Sequence, residues 1–265
     1  MRRRRKATTS SSRRALAERA ITFERENLAL AAGHVEEHPL GRWMRNAENP
    51  QMWSLNQLYV EGRQPALDAA TLTAELDRGL ADARHRRVVV EHDATGRGLI
   101  DGMRGAGYDA IALMVMALDE EPPVPAPGAA REISEPEMRA LEARVVGEGD
   151  IPAADRPVVL AGHAHMRETI PGTRCFAGVL DGEDVCHTTL YLHDGTGQPE
   201  DVETLAAARG RGVAAAAVSL ASREALAAGS DLVFILCHAY DGPYPLYAQL
   251  GFRATGRFWT FTRQG

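Results

Sequence analysis

The chain has 265 residues, 45% of them hydrophobic and 25% charged, which fits a globular protein of one large domain or two small ones. No uninterrupted apolar run approaches the ~18–20 residues of a membrane helix. Three cysteines without a C-x-x-C pair (Cys175, Cys186, Cys237) exclude a disulfide scaffold and a thiolate zinc ribbon, and fit a reducing cytoplasm. The net charge of −6 divides into +7 over residues 1–19 and −13 over the remainder, an acidic body that argues against nucleic-acid binding.

In chain order, the Arg- and Ser-rich head over residues 1–19 reads as a disordered basic tail, without the apolar core of a secretory signal. Residues 20–118 form an amino-terminal lobe. It has a strand at 52–60, an amphipathic helix at 67–83, a strand at 86–92, a short helix at 98–106 and a strand at 109–118. A linker follows at 119–130, where Pro122, Pro123, Pro125 and Pro127 remove four backbone donors.

The carboxy-terminal lobe, 131–265, opens with Ser134 and Glu137 in capping-box spacing, predicting a helix to about residue 146. Two strands then flank a turn at Asp181-Gly182. After the turn-prone "DGTGQ" comes a short strand at 200–205, the loop "AAARGRG", and an Ala-rich helix at 213–228 that Gly229 stops. The apolar run 231–237 predicts a parallel strand buried on both faces. A short helix, "LYAQL", ends at Gly251, and 252–262 is the last strand. The order is α/β. Gly107-Tyr108 repeats Gly251-Phe252 after a short helix, which suggests two related lobes.

The informative segment is "VETLAAARGRGVAAAAV", residues 202–218. A strand runs into Arg209-Gly210-Arg211-Gly212 and a helix begins near Val213, where backbone N–H groups lack intrahelical partners and the helix dipole is positive. Glycines allow close approach of the main chain, so the segment offers an anion or pyrophosphate cradle, against the plainer reading of a Gly-rich turn.

Together with "LYAQLGF" about 35 residues on, this segment resembles the end of a GNAT-family N-acetyltransferase. The resemblance implies two GNAT-like lobes, each a mixed, mostly antiparallel sheet with flanking helices, of which the amino-terminal one is degenerate. It implies that Thr204, Leu205, Ala206, Ala207, Arg209, Gly210, Arg211, Gly212, Val213 and Ala214 hold acetyl-CoA, joined by Tyr240 and Tyr247. Ala207 stands where the family's loop usually has Gln or Arg, and Tyr240 where it often has Asn.

The implied chemistry is direct attack of a primary amine on the thioester in a ternary complex. Tyr247 is the expected acid for the departing thiolate. Glu203, ahead of Glu200 and Asp201, is the expected base, since clustered carboxylates raise at least one pKa. His238, at the end of the apolar strand, is a candidate proton relay or a structural histidine. The alternative is a non-catalytic acyl-CoA-binding regulatory or sensor protein. The expected partners are acetyl-CoA and an unidentified amine, with no nucleic acid and no membrane, in a monomer or homodimer.

Two further patterns occur in the chain. Gly96-x-Gly98-x-x-x-Gly102 approximates a dinucleotide fingerprint, but the proline linker arrives before the βα units such a domain needs. His163-x-His165, read as one strand face, with His187 and His193 suggests a metal site, but unrelated histidines explain them better and no metal is expected. The first lobe's loop, "EGRQPALD", lacks R-G-x-G, and Met103 stands where the tyrosine would be. Trp43, Trp53 and Trp259 are expected packing anchors.

Overall fold

The computed structural model describes residues 10–149, 151–240 and 242–264. It is an α/β fold that divides into two compact units. One, the amino-terminal unit, comprises Ala17–Val115, Cys237–Gly242 and Thr255–Gly265. The other, the carboxy-terminal unit, comprises Met116–Leu236 and Pro243–Ala254 with the residues up to Leu16. These units do not coincide with 20–118 and 131–265, because the chain's last strand supplies residues to both.

The first helix, α1 (Ser10–Ala32), includes residues 10–19, which were expected to be disordered. Residues 1–9 of that expected tail lie outside the described residues. The helical signal is real: Ala17, Ala20, Ile21, Leu28, Ala31 and Ala32 are buried at three- and four-residue spacing. Residues 10–19 continue this helix, with no Pro or Gly among them to interrupt it.

In the amino-terminal unit, β1 (His34–His38), β2 (Gly41–Arg45) and β3 (Gln57–Val60) are antiparallel neighbours. Helix α2 (Ala69–Gly79) then crosses to β4 (His85–Val90), which is parallel to β3. Next come α3 (Asp93–Gly105) and β5 (Asp109–Leu118). Helix α3 starts five residues earlier than predicted because the His92 ring caps it, accepting from the Thr95 N–H.

The final strand, β11 (Phe252–Gln264), pairs with β4 antiparallel in the register Trp259↔Val90 and Phe261↔Val88. Trp259 and Phe261 therefore enter a core with Leu58, Val60, Leu72, Leu76, Leu99 and Met103. Two of the three suspected fingerprint glycines, Gly96 and Gly102, are explained here by packing, while a Cβ on Gly98 would meet nothing within 4 Å. A Cβ on Gly96 would stand 2.3 Å from the Trp259 ring, and one on Gly102 2.5 Å from Ala69 Cβ. Both are helix-packing positions.

Residues 121–129 contain no helix or strand. The carboxy-terminal unit begins with β6 (Ala130–Ile133) and α4 (Glu135–Glu148), whose Ser134–Glu137 capping box forms as predicted. Helix α5 (Arg156–Thr169) follows, so His163 and His165 are helical and do not share a strand face. β7 (Arg174–Leu180), β8 (Glu183–His193) and β9 (Thr196–Thr204) continue antiparallel from β6. Helix α6 (Val213–Ala227) then crosses to β10 (Leu232–His238), parallel to β9, and α7 (Tyr244–Gln249) precedes β11.

β9 is longer than the predicted 200–205. Asp194 and Gly195, both at positive φ, make the turn by themselves, and Gly197 lies inside the strand. A Cβ on Gly197 would stand 2.5 Å from Ala225 Cβ, so this glycine lets α6 settle on the sheet. Each unit thus bridges a parallel strand pair with a helix, next to antiparallel pairs. Among the described residues no helix is long and apolar enough to cross a membrane.

Candidate functional site

The site grows from the end of β9. Opposite β8, the register slips by one residue: His187 faces Glu203, while Thr189 faces Glu200. The extra residue makes a bulge in which Asp201 takes φ +53°, a left-handed conformation that costs a non-glycine residue about 1–3 kcal/mol. Thr188 Oγ1 donates to the Glu200 carbonyl at 2.8 Å, and Gln198 Nε2 to the Glu200 carboxylate at 2.8 Å. The bulge resets the strand so that Glu203 and Thr204 enter a cavity of about 740 Å³.

Beyond Thr204 the chain makes a single 3-10 turn, Ala206–Ala208, and reaches Gly210 (φ +72°) and Gly212 (φ +80°). Neither glycine has any atom within 4 Å of where a Cβ would stand, so backbone conformation, not crowding, calls for glycine here. Gly212 is the N-cap of α6 and offers no side chain to its first N–H groups. By contrast, Asp68 caps α2, His92 caps α3 and the Ser134–Glu137 box caps α4. Val213 and Ala214, with Arg209 and both glycines, line the cavity. That wall presents backbone donors at a positive helix end.

The facing wall comes from Val145, Val146, Gly149 and Ile151, at the end of α4 and just after it, and from Pro243 and Leu246 at α7. Glu148 Oε2 accepts the Ala206 N–H at 2.8 Å and ties the α4 end to the loop.

Beneath this wall lies a buried polar cluster. The Glu142 carboxylate of α4 receives His163 Nδ1 at 2.7 Å and an Arg167 guanidinium nitrogen at 2.9 Å, both from α5. Arg167 also holds Glu135 at 3.1 Å. Burial alone would raise the Glu142 pKa, but the His163 and Arg167 hydrogen bonds bring it down to about 2. Burial works against the charged form of His163, yet Glu142 and Asp201 draw its pKa up. His187 is different. Its ring is 1% exposed, and neither ring nitrogen has a hydrogen-bond partner. Burial, the largest influence, lowers its pKa and so favours the neutral ring. Each such unsatisfied group costs about 1–3 kcal/mol.

Glu203 Oε2 stands 3.8 Å from His187 Nε2. Its side chain is half-exposed to the cavity but ringed by protein, and burial followed by the nearby Asp201 charge raises its pKa. Among the described residues no group of three or more His, Cys, Asp or Glu is placed to hold a metal ion.

No family model matches the sequence, and no curated protein matches it. Solved structures do. A GCN5-related N-acetyltransferase from Kribbella flavida superposes with a TM-score of 0.62 at 17% identity, over 93% of this chain and 96% of that one. A functionally unknown conserved protein from Staphylococcus epidermidis gives 0.61 at 10% identity, over 82% and 88%. A GCN5-related N-acetyltransferase from Sphaerobacter thermophilus gives 0.50 at 19%, over 68% and 60%. The chain has the GNAT fold.

Within this GNAT fold the residues singled out in the sequence separate. Glu203, Thr204, Arg209, Gly210, Gly212, Val213 and Ala214 meet at the cavity. Leu205 is buried in the core, while Ala206, Ala207 and Arg211 lie on the exposed side of the loop. Glu200 and Asp201 belong to the bulge and do not line the cavity. Tyr247 is buried on α7 with its ring edge against Phe252 at 6.2 Å, and it does not line the cavity either. His238 and Tyr240 fall in the amino-terminal unit, where Arg257 donates to the Tyr240 hydroxyl at 3.3 Å.

Sequence reasoning missed the α4 wall and the Glu142–His163–Arg167 cluster with the unpartnered His187 beside it. Asp155 and Pro157 do signal the start of α5. The helix went unseen because its inward face carries His163 and Arg167 in place of an apolar stripe.

Proposed function

We propose that this protein is an acetyl-CoA-dependent N-acetyltransferase acting on a primary amine by direct attack in a ternary complex. The observation that carries the reading is one cavity, inside one unit, with an uncapped helix N-terminus behind two open glycines on one wall. On the same wall Glu203 has a raised pKa.

The residues present fit the donor. The N–H groups at the start of α6 and the guanidinium of Arg209 bind the pyrophosphate. Val145, Val146, Ile151 and Leu246 give the apolar walls that a pantetheine arm requires. Acetyl-CoA supplies a thioester carbonyl for the amine to attack and a thiolate that leaves. Glu203 takes the proton of the incoming ammonium. The need is quantitative: an amine with a pKa of about 10.4 is deprotonated in roughly 1 molecule in 2,500 at pH 7. A carboxylate with a raised pKa is a better base than a free one. The negative body of the chain draws a cationic acceptor toward this site.

The test is thiol release from acetyl-, propionyl- and succinyl-CoA against pooled primary amines, run beside calorimetric titration with CoA. Amine-dependent thiol release is the expected result. CoA binding without transfer to any amine would make the protein an acyl-CoA sensor, and absence of CoA binding would remove the loop assignment.

A further inference from the structure

His187 is a fully buried histidine with no hydrogen-bond partner on either ring nitrogen. It sits on β8 directly opposite Glu203 of β9, so the two side chains share one face of the sheet. The charged and titratable groups around it come from three elements: Glu142 of α4, His163 and Arg167 of α5, and Asp201 and Glu203 of β9. Glu142 is already engaged by His163 and Arg167. The carboxylate within reach of His187 is therefore that of Glu203, 3.8 Å from Nε2. The Glu203 side chain is half-exposed, and a rotamer change of about 1 Å at its tip brings that distance to a normal hydrogen bond.

We propose that His187 is the positioning residue for Glu203: its Nε2–H donates to the Glu203 carboxylate when the cavity is filled, and aims it at the attacking amine. The inference rests on the assignment of Glu203 as base. The proton balance is simple. The attacking ammonium gives up two protons: the first moves to Glu203 and from there to solvent, and the second leaves the nitrogen as the C–S bond breaks and ends on the CoA thiolate, while the His187 ring keeps its single N–H throughout. Burial supports this role by keeping the imidazole neutral, with one donor and no charge to repel the ammonium.

The experiment uses the full chain with CoA as the probe and follows the Glu203 side-chain carboxyl carbon by NMR titration. A hydrogen bond to the ionised form lowers a carboxyl pKa. In His187→Leu, Glu203 is therefore expected to titrate about one pH unit higher than in the wild-type protein, and in His187→Gln, which keeps an N–H donor, to return toward it. His187→Met fills the same space without a donor and repeats the first arm should the leucine variant not fold.

In the thiol-release assay with acetyl-CoA, the same donor-less variants are expected to lose about tenfold in kcat with KM for acetyl-CoA unchanged, and the acidic limb of the pH profile moves upward. An identical Glu203 titration in wild type, His187→Met and His187→Gln would overturn the proposal. A wild-type protein that releases no thiol removes the acetyltransferase reading alone, because the carboxyl titration still decides whether the pair exists.

Discussion

Gly210→Val is the sharpest perturbation of the cradle. At φ +72° a β-branched residue is a backbone outlier, and holding it there costs about 1–2 kcal/mol. No atom lies within 4 Å of the added Cβ, so crowding adds nothing. The strain is relieved by rotating the peptide to negative φ, which turns loop N–H groups away from the cavity. Each hydrogen bond to a charged phosphate is worth about 1.5–3 kcal/mol, so one lost contact weakens CoA binding about 10- to 150-fold. Gly62→Val is the matched control. Gly62 has φ +62°, an equally open Cβ position, and a place at the turn between β3 and α2 of the other unit. Both variants are expected to lower Tm by about 2–8 °C, and only Gly210→Val to weaken CoA binding in a calorimetric titration. Equal affinities in the two variants would refute the cradle.

Glu142→Gln leaves Arg167 and His163 without their buried anion and is expected to cost about 3–5 kcal/mol at pH 7 in urea unfolding. Because the folded pKa of Glu142 is depressed from 4.5 to about 2, its stabilisation is present above pH 4.5. It is lost as pH falls toward 2, so the gap between variant and wild type closes over that interval. Phe261→Ala, in the core lined by Val88 and Val90, is expected to cost about 3–5 kcal/mol. Hydrogen exchange then accelerates in 85–90, and acceleration in 174–193 instead would contradict the pairing of β11 with β4. Tyr247→Phe is expected to leave kcat for thiol release within about twofold, since the ring packs on Phe252 away from the cavity. A tenfold loss would restore Tyr247 as the thiolate's proton donor.

What was legible in the sequence was what local chemistry dictates. Ser134 and Glu137 announce α4, Asp181-Gly182 the β7–β8 turn, and the apolar run at 231–237 a strand parallel to its neighbour. The glycines at 210 and 212 mark left-handed backbone before a helix. What was illegible depends on partners distant in the chain. Nothing in 252–264 says that Trp259 and Phe261 will pair with β4 and not beside the strand just before them. Glu142, His163, Arg167 and His187 are spread over 46 residues, and each is unremarkable alone. Their role appears only when α4, α5 and β8 bring them together, and no apolar periodicity marks a helix face filled with charge.

The two units share a strand–helix–parallel-strand plan but differ at the turn that leads into the bridging helix. Each carries a left-handed glycine at the turn from a strand to the helix that bridges its parallel pair. In the amino-terminal unit the Gly62 N–H already donates to Glu91 at 2.8 Å, and Asp68 accepts the Thr71 N–H at the start of α2. A phosphate at this turn would meet both carboxylates, which already accept these N–H groups and would repel its charge. In the carboxy-terminal unit the turn carries Arg209 and Arg211, α6 has no capping side chain, and both glycines open onto empty space. The two turns differ in backbone as well: only the carboxy-terminal one has the 3-10 turn Ala206–Ala208 and a second left-handed glycine. An amino-terminal unit plugged by its own acids is therefore expected to leave a single CoA site per chain, and a calorimetric stoichiometry of two would show that Glu91 and Asp68 yield to the ligand.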